Sequence, residues 1–561
     1  MPAAKNVREM ATIFSPAGGG VLPSTMSDQQ LSIRAIYEHA TTTHARKHIV
    51  SRDGPEVVRF TYAEFGRRVA KLANALHTLG VRPGDRVASF AWNGHRHLEL
   101  YYAVPMIGAV LHTVNIRLFP DQAAFVLDHA GDKIVFFDGS LVKAVKAAAA
   151  LDPDAGRTFV QMGASPEAFD GALDYETLLA PEPETFDWPE VDERAAAILC
   201  YTSATTGDPK GVLFSQRSTF IHALAAGLAD ALGITERDRV LPIVPMFHVN
   251  AWGTPFMCLM VGADFIMPME RLDPAGVIEL CEGERVTFSA GVPTVWMGVR
   301  DMLRAQNKTL PLLKKIVIGG SAMPHSLMDD LNAMGIEAIH AWGMTEMSPI
   351  GTVSRDVTAL EDQPDVQRRE RYKQGRFSPI VQHKIVDEHG NDAPADGVAR
   401  GELLVRGYAV TKEYYNNPTA TASAFEADGW FHTGDVVTMD EYGYIEIVDR
   451  VKDFIKSGGE WISSVEVENI MMGHPGLKEA CVFGVPHPKW QERPVAAVVV
   501  REGHEPDEAA VRAWLGDKLA KWQTPDRVLF VDTIPRTGVG KFLKRDLRER
   551  YKNLFAEDAT T

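Results

Sequence analysis

Short apolar runs recur along this chain, and helical or loop segments separate most of them. Six of these runs have the length and character of buried strands: residues 133–138, 196–200, 240–244, 265–267, 286–290 and 316–318. Strands that alternate with helices usually pair in parallel, because each helix returns the chain to the same edge of the sheet. The pattern predicts an α/β fold with much parallel sheet, whose ligands gather at the carboxyl ends of the strands.

One predicted helix has both of its ends marked in the sequence. Thr61 and Glu64 form a capping box, in which a hydroxyl and a carboxylate bond the backbone amides of the first turn. Apolar residues then recur at helical spacing, at Phe65, Val69, Leu72, Ala73, Leu76 and Leu79. Gly80 follows them, and glycine often ends a helix. The sequence therefore predicts a helix that begins after Thr61 and ends at Gly80.

The length of the chain and a change in the pattern of its apolar runs predict two domains. A chain of 561 residues is too long for one hydrophobic core. After about residue 398 the runs 401–405 and 444–448 indicate a smaller sheet, and a charged linker at 450–453 follows. We predict a large N-terminal domain over 1–449, with several subdomains and mostly parallel sheets flanked by helices. A small α+β domain over 454–561 is expected to complete the fold.

The charge balance and the cysteines narrow the class of protein. A net charge of −16 argues against nucleic acid as the main partner, because phosphate backbones favour basic surfaces. Cys200, Cys258, Cys281 and Cys481 lie far apart without metal-ligand spacing, which favours a reducing compartment. No run reaches the ~18 apolar residues of a membrane span, and no apolar segment follows residues 1–10. We therefore expect a cytoplasmic protein without an integral membrane segment.

A loop rich in hydroxyls follows the predicted strand 196–200. Residues 201–211 read Tyr-Thr-Ser-Ala-Thr-Thr-Gly-Asp-Pro-Lys-Gly, which places hydroxyls, turn-forming glycines and one lysine together. Amides and side-chain oxygens in such a loop can wrap an anion. The spacing is not that of a Walker P-loop, and a polar surface loop is the alternative interpretation.

Two further segments end predicted strands with residues suited to a nucleotide. In 318–324, Gly319 and Gly320 allow the backbone to approach a flat ligand, although an ordinary βα turn has the same composition. In 340–346, Trp342 is suited to stacking on a base and Glu346 to Mg²⁺. The alternatives for these two are a buried tryptophan and a solvated glutamate.

Two charged residues later in the chain stand where they can meet such a ligand. Asp435 follows a short apolar segment, and its carboxylate can accept both hydroxyls of a ribose or simply cap a turn. Lys541 lies at the tip of the glycine-rich loop 535–541, just before a predicted helix. A lysine held there can neutralise an oxyanion, whereas most surface lysines are only solvated charges.

The order of these motifs resembles the adenylate-forming superfamily. Loop 201–211, residues 342–346, Gly434-Asp435, residues 449–452 and loop 535–541 follow one another as they do in that group, and the resemblance runs from about residue 50 to 552. The superfamily includes acyl-CoA synthetases, adenylation domains and firefly-type luciferases. Residues 244–252 and 456–463 are most similar to bacterial medium- and long-chain fatty-acyl-CoA synthetases.

The resemblance implies a two-step reaction. A carboxylate attacks the α-phosphate of ATP with Mg²⁺ present, giving acyl-AMP and pyrophosphate; the thiol of coenzyme A then displaces AMP. It also implies that the small C-terminal domain is mobile and rotates between the steps. Residues 450–453 would then form the hinge, with Lys452 at its centre, because a few residues must absorb the change in backbone angles.

The resemblance also implies residue roles at the nucleotide. The β,γ-phosphates would be held by Thr202, Ser203, Thr205, Thr206, Gly207 and Lys210. The adenine would be framed by Gly320, Ser321, Ala322, Trp342 and Gly343. Thr345 would contact the α-phosphate, Glu346 would bind Mg²⁺, and Asp435 and Arg450 would bind the ribose. The implied catalytic residues are Thr202, His248, Glu346 and Lys541, with Lys541 acting on the carboxylate and α-phosphate.

The acyl group and coenzyme A have their own implied residues. The acyl pocket would be formed by His248, Val249, Trp252, Gly291, Gly319 and Met344, with Trp252 as a gate. The pantetheine channel would be lined by Lys456, Ser457, Gly458, Gly459, Glu460 and Trp461. Many fatty-acyl relatives are dimers, so a homodimer is compatible with the resemblance.

Two residues depart from the usual motifs. Ala204 stands where the phosphate loop usually has glycine, which would cost about 1 kcal/mol if that position needs a positive φ. Trp342 stands where tyrosine is common, which keeps the stacking face and changes the polar group.

Three alternatives to a fatty-acid ligase remain open. A ligase for a short thia- or aryl-carboxylate would use the same scaffold, although the pocket segments 248–252, 291–293 and 319–320 carry no charged residue apart from His248. A free-standing adenylation or carrier-loading protein would lack the coenzyme A step, and residues 456–461 argue against it. A luciferase-type monooxygenase would reveal itself by an oxygen-dependent product.

Overall fold

A computed structural model describes residues 24–202, 208–458, 460–516, 518–537 and 541–556. The described residues form four sheets, of seven, nine, four and five strands, with helices packed on the larger ones. The predicted α/β fold is confirmed. Ser203, Ala204, Thr205, Thr206, Gly207 and Gly459 lie outside the described residues, as do residues 538–540 of the predicted lysine loop.

The seven-stranded sheet ends in the strands that flank the hydroxyl-rich loop. Its spatial order is Leu173–Asp174, Thr158–Met162, Asp132–Asp138, Arg86–Phe90, Val110–Thr113, Ala196–Tyr201 and Gly211–Ser215. Only the last pair is antiparallel, with Tyr201 opposite Gly211. The loop between those residues therefore starts at the carboxyl end of a strand in the parallel part of the sheet.

The nine-stranded sheet has a parallel centre and antiparallel edges. Its spatial order is Arg376–Phe377, Ile350–Val353, Glu337–Gly343, Lys315–Ile318, Phe288–Gly291, Arg239–Pro242, Asp264–Met267, His48–Asp53 and Glu56–Thr61. The strands from Glu337–Gly343 to His48–Asp53 are parallel. Segments 318–324 and 340–346 follow neighbouring strands, so the parallel arrangement brings them to one edge.

Two smaller sheets belong to the later part of the chain. The first is antiparallel, in the order Val381–Val386, Gly401–Gly407, Phe431–Met439 and Ile445–Arg450. The second lies beyond residue 453 and contains Glu460–Ile462, Ile455–Ser457, Gln491–Val500 and Leu477–His487, with Arg527–Phe530 parallel to Gln491–Val500. Its helices and strands enclose a separate apolar core that includes Ile455, Val467, Val482, Ala496 and Leu515.

The helices of the larger part cover the two big sheets. They are Ile33–Thr43, Tyr62–Thr78, His95–Met106, Pro120–Ala130, Val142–Ala149, Tyr175–Leu179, Gln216–Gly227, Thr254–Val261, Pro274–Gly283, Pro293–Ala305, His325–Ala333, Pro364–Tyr372 and Pro418–Ala424. The later part has Ser464–Met472, Glu508–Gly516 and Lys544–Tyr551. No helix among the described residues is both long and apolar enough to cross a membrane.

The first predicted helix shows why the local sequence forms it. The Thr61 Oγ1 accepts a bond from the Glu64 amide at 3.2 Å, and the Glu64 Oε2 accepts one from the Thr61 amide at 2.7 Å. Both partners of the capping box are therefore in place. Phe65, Val69 and Leu72 are fully buried, so the predicted apolar face packs on the core.

Candidate active site

A cavity of about 680 Å³ opens at the carboxyl ends of the strands, between the larger part of the chain and the segment around Lys541. Many residues singled out in the sequence line it: Thr202, Lys210, His248, Val249, Trp252, Gly319, Gly320, Ser321, Ala322, Trp342, Gly343, Met344, Thr345, Glu346, Asp435, Arg450, Lys452 and Lys541. Seven separate stretches of chain thus supply one cavity. Its size is in the range of small-molecule sites.

Some of the singled-out residues lie elsewhere. Gly291 faces the Trp296 indole, and a Cβ there would be 2.7 Å from its Nε1. The strands Ile455–Ser457 and Glu460–Ile462 form a hairpin that does not line the cavity. The side chain of Trp461 is exposed on that hairpin, with the Lys456 amine 4.8 Å from its ring centre. The roles of Gly291 and the hairpin residues stay predictions.

The two ends of the hydroxyl-rich loop are bonded to each other. The Thr202 amide donates to the Lys210 carbonyl at 2.9 Å, and the Lys210 amide donates to the Thr202 Oγ1 at 3.2 Å. The Lys210 amine lies 4.8 Å from the ring centre of Tyr414. The aromatic ring therefore holds this cation beside the cavity.

Trp342 and Asp435, which are buried, form a hydrogen-bonded group with the partly exposed Arg450. The Trp342 Nε1 donates to Asp435 Oδ2 at 3.0 Å, and the Arg450 Nε donates to Asp435 Oδ1 at 2.7 Å. Asp435 and Arg450 are opposite each other on adjacent antiparallel strands. The carboxylate of Asp435 raises the pKa of Arg450, which remains charged. This group fixes the indole plane at the wall of the cavity.

Glu346 has a partner that the sequence did not reveal. The Tyr414 hydroxyl donates to Glu346 Oε1 at 2.7 Å from a position far along the chain. The Thr411 amide donates to the Glu346 carbonyl at 2.8 Å. No local pattern links residue 346 to residue 414, so only the fold could show this contact. The bond fixes the direction in which the carboxylate presents its oxygens.

The oxygen donors of the cavity fit Mg²⁺ bound together with a nucleotide. Among the described residues, no three His, Cys, Asp or Glu side chains are grouped to hold a metal ion. One oriented carboxylate at Glu346, with the Thr202 and Thr345 hydroxyls in the same cavity, suits an ion that takes its other ligands from phosphates and water.

Lys541 brings a positive charge into this cavity from the C-terminal part of the chain. Burial and the positive charge of Arg450 lower the pKa of its amine, and the carboxylates of Asp435 and Glu346 oppose that shift. The Thr537 amide donates to the Lys541 carbonyl at 2.7 Å, and the Lys541 amide donates to the Thr537 Oγ1 at 3.2 Å. The lysine therefore enters from a bonded turn.

His248 faces the same charge. Burial, Lys541 and Arg117 lower its pKa to about 3, so the imidazole is neutral at physiological pH. A neutral imidazole beside a lysine can hydrogen-bond a carboxylate, while the positive charge comes from the amine.

The residues after His248 adopt a left-handed helical turn. Val249, Asn250, Ala251 and Trp252 have φ angles of 39°, 57°, 47° and 56°, and Gly253 follows at 78°. Residues other than glycine cost about 1–2 kcal/mol each in this conformation, so the surrounding structure must hold them. Asn250 belongs to this turn, and the sequence analysis did not single it out.

Buried contacts on both sides hold the turn in place. The Asn250 Oδ1 accepts bonds from the Tyr101 hydroxyl and the Cys200 thiol, each at 3.3 Å. The Trp252 ring lies against the backbone at 319–320, where a Cβ on Gly319 would be 3.3 Å from the indole. The turn therefore sets where the Trp252 ring meets the cavity wall.

Comparisons with known proteins identify the family of the chain. A family model described as AMP-binding enzyme matches residues 36–415, and one for the AMP-binding enzyme C-terminal domain matches 466–541. A long-chain-fatty-acid–CoA ligase of Thermus thermophilus is 47% identical, over 95% of this chain and 98% of its own length. A 3-methylmercaptopropionyl-CoA ligase of Ruegeria pomeroyi is 45% identical, over 94% of this chain and 99% of its own.

A solved structure extends the agreement to three dimensions. ATP-bound MatB from Rhodopseudomonas palustris superposes with a TM-score of 0.80 at 28% identity, over 94% of this chain and 100% of its own. The predicted resemblance to adenylate-forming enzymes and the predicted class, an AMP-forming acyl-CoA synthetase, are confirmed. From its sequence, its fold and its relatives, the chain belongs to the AMP-binding enzyme family.

Proposed function

We propose that this chain is an ATP-dependent acid–CoA ligase that activates a medium- or long-chain fatty acid. The observation that carries the proposal is the Lys541 amine, which shares one cavity with Glu346, Asp435 and Arg450 and faces the neutral His248. Opposed charges at the wall of a cavity suit a reaction in which an anion attacks a phosphate.

The first step forms a mixed anhydride. A carboxylate oxygen of the acid attacks the α-phosphorus of ATP. The bond between the α-phosphorus and the oxygen that bridges it to the β-phosphate breaks, and pyrophosphate leaves. Lys541 neutralises charge that develops on the reacting oxygens, where a fixed donor stabilises the transition state. Lys210 lies beside the cavity at the end of the loop expected to receive the leaving pyrophosphate.

The wall around the nucleotide supports the proposed base and ribose contacts. The Trp342 N–H is already bonded to Asp435, so the ring offers its face to an adenine. Asp435 is expected to accept the ribose hydroxyls, and its Oδ1 already accepts a bond from the Arg450 Nε. Mg²⁺ would be held by Glu346 and the phosphates, and it would supply charge neutralisation at the phosphoryl oxygens.

The second step transfers the acyl group. The coenzyme A thiolate attacks the acyl carbon, the bond from that carbon to the AMP oxygen breaks, and AMP leaves. We propose that residues 450–453 form the hinge, with 1–449 and 454–561 as the two domains. The paired strands Ile455–Ser457 and Glu460–Ile462 lie outside the cavity, whereas Lys541 lines it. A rotation about Lys452 would exchange them.

A ligase for a short thia-carboxylate is the second candidate. Trp252 lies on the Gly319–Gly320 backbone, so the indole shortens the apolar end of the cavity. The 3-methylmercaptopropionyl-CoA ligase of Ruegeria pomeroyi is nearly as similar to this chain as the fatty-acid ligase is. Movement of Trp252 would favour long chains, and a fixed Trp252 would favour short ones.

One experiment separates these candidates. Linear acids of increasing length, 3-(methylthio)propionate and benzoate are incubated with ATP and Mg²⁺, and pyrophosphate and AMP are measured with and without coenzyme A. We expect AMP and a thioester to accumulate with coenzyme A, best with the longer linear acids. Pyrophosphate without any thioester, for every acid, would contradict the ligase and favour a carrier-loading protein. A cytoplasmic location stays a prediction, which cell fractionation would test. A homodimer also stays a prediction, which sedimentation would test.

Removal of the Asp435 carboxylate is expected to weaken ATP binding. Asp435→Ala leaves the Arg450 charge and the Trp342 N–H without their acceptor and removes the expected ribose contact. A loss of about 2 kcal/mol, or roughly 30-fold in the KM for ATP, is the expected size. The exposed Asp428→Ala is the control and should leave that KM unchanged. Equal values for the two variants would remove Asp435 from the ribose site.

Acyl-adenylate formation is expected to fall in alkaline solution. A lowered pKa means that the Lys541 amine loses its proton at a pH below the ordinary value of 10.5. The rate of acyl-adenylate formation should therefore decline as the pH rises through that lowered pKa. At pH values below that pKa the rate should stay constant. Lys541→Arg, whose guanidinium stays protonated, should be slower but lack this decline. If the unchanged protein and Lys541→Arg showed the same decline in alkaline solution, a group other than Lys541 would cause that decline.

A further inference from the structure

The chain that carries Lys541 continues directly into an anchored lysine. Lys544 begins the helix Lys544–Tyr551, three residues after Lys541. Its amine donates to the Ser464 Oγ at 2.5 Å and pairs with Glu468 Oε1 at 2.8 Å. The side chains of Lys544 and Glu468 are only 11% and 15% exposed. Any displacement of Lys544 would therefore break enclosed polar contacts.

The carboxylates around Lys544 keep it charged. Burial by itself would lower the pKa of the amine, but Glu468 and Asp449 raise it above its ordinary value. Glu468 is fixed in turn, because its Oε1 accepts a bond from the Val482 amide at 2.8 Å. An enclosed charge of this kind is costly to leave unpaired.

Ser464 connects this lysine to the other side of the proposed hinge. Its amide and its hydroxyl both donate to Asp449 Oδ2 at 2.6 Å. Asp449 is buried, and it directly precedes Arg450 on the strand Ile445–Arg450. Lys544 and Asp449 themselves line the nucleotide cavity, and Arg450 beside Asp449 is bonded to Asp435 in its wall.

We propose that Lys544 is a positioning residue for Lys541, acting through Ser464 on Asp449. This set, Lys544–Ser464–Asp449, is here called the lysine relay. It ties the segment that presents the Lys541 amine to the strand that presents Arg450, across residues 450–453. The relay holds the arrangement in which acyl-AMP forms; the inference rests on the proposed role of Lys541 in that step.

The contacts separate this role from simple support of the C-terminal fold. The Lys544–Glu468 pair joins two residues beyond the proposed hinge, so it can stabilise that part without affecting Lys541. The Ser464–Asp449 bonds join residues on opposite sides of it. Only the second set of bonds would control how often Lys541 occupies the cavity.

Ser464→Ala tests the relay with the ion pair left in place. Because the lost hydroxyl bonds couple the two sides, acyl-AMP formation, measured by exchange of pyrophosphate into ATP, should slow about tenfold. Thioester formation from supplied acyl-AMP and coenzyme A should stay within about twofold of the unchanged protein, because that step does not use Lys541 in the cavity. Ser464→Thr, which keeps the hydroxyl, should restore the exchange rate.

A second readout reports the position of Lys541 without turnover. The protein alone is treated with an amine-reactive acylating reagent, and modification of Lys541 is measured by peptide mass spectrometry. In Ser464→Ala the reagent should modify Lys541 several-fold faster than in the unchanged protein, because the Lys541 amine leaves the cavity more often. Arg545→Ala, a neighbouring exposed cation on the same helix, is the control and should change neither readout.

The outcomes distinguish the relay from the proposed function. If the unchanged protein exchanges no pyrophosphate with any acid, the proposed function is wrong. If it does, and Ser464→Ala alters neither the exchange rate nor Lys541 modification, the relay is wrong. If Ser464→Ala slowed acyl-AMP formation and thioester formation equally, Ser464 would support only the fold, and the relay would be wrong. Should Ser464→Ala not fold, Asp449→Asn, which weakens the same bonds from the other side, decides by the same two readouts.

Discussion

Lys541→Ala is expected to slow acyl-AMP formation about 1,000-fold, because removal of one fixed charge at a developing oxyanion typically has an effect of that size. The Lys541 amine interacts electrostatically with Glu346, Asp435 and Arg450 and lines the same cavity as they do. Pyrophosphate exchange into ATP, with the best acid from the panel, measures this step.

The second half-reaction separates chemistry from folding in the same variant. Acyl-AMP supplied with coenzyme A bypasses the step in which Lys541 acts, so thioester formation should change by no more than about threefold. Lys552→Ala is the matched control, because the Lys552 side chain is half-exposed and its amine pairs with Glu549 at 2.5 Å. It should leave both half-reactions intact. Equal losses in the two steps of Lys541→Ala would refute this division of labour.

Much of the fold could be predicted because its signals are local. Each of the six strand-like runs overlaps a strand, although residues 243–244 and 286–287 lie outside the strands, and the capping box at Thr61 and Glu64 forms as expected. The meeting of distant motifs also followed, since loops after parallel strands share one edge of a sheet. Asp435 and Arg450 are closer than their motifs alone suggest, because they lie opposite each other on adjacent strands.

The remaining features depend on contacts between distant residues or on unusual backbone angles. The bond from Tyr414 to Glu346 joins segments whose local sequences carry no mark of each other. The left-handed turn after His248 runs against the preference of Val249 and Trp252, and buried partners supplied by other elements hold it. Gly291 was expected in the acyl pocket from the resemblance, and its role stays a prediction; the Trp296 indole beside it could be found only from the fold.

The position of the C-terminal part could not be predicted either. The sequence is equally compatible with Lys541 or the Gly458 hairpin at the cavity, because both belong to the same small unit. The contacts through Lys544 and Ser464 decide the matter in this structure, and they involve residues outside the recognised motifs. A polar network across a linker leaves no periodic pattern for sequence reasoning to detect.

Gly253→Ala is expected to be the most disruptive small substitution at the acyl wall. Gly253 ends the left-handed turn at a φ of 78°, where alanine is strained. An added Cβ would also lie 2.7 Å from the His222 Nδ1. His222 is buried, and its Nε2 accepts a bond from the Ile350 amide at 3.2 Å, so the ring cannot withdraw without losing that bond.

Strain and overlap together should reduce the free energy of unfolding by about 3 kcal/mol, and the displaced Trp252 should alter the preference for acyl chain length. Urea unfolding and the acid panel measure the two effects. Gly283→Ala is the matched control: a Cβ there meets no atom within 4 Å, so its stability should change by less than about 0.5 kcal/mol. If the two variants were equally stable and had the same chain-length profile, the left-handed turn would not determine the shape of the acyl wall.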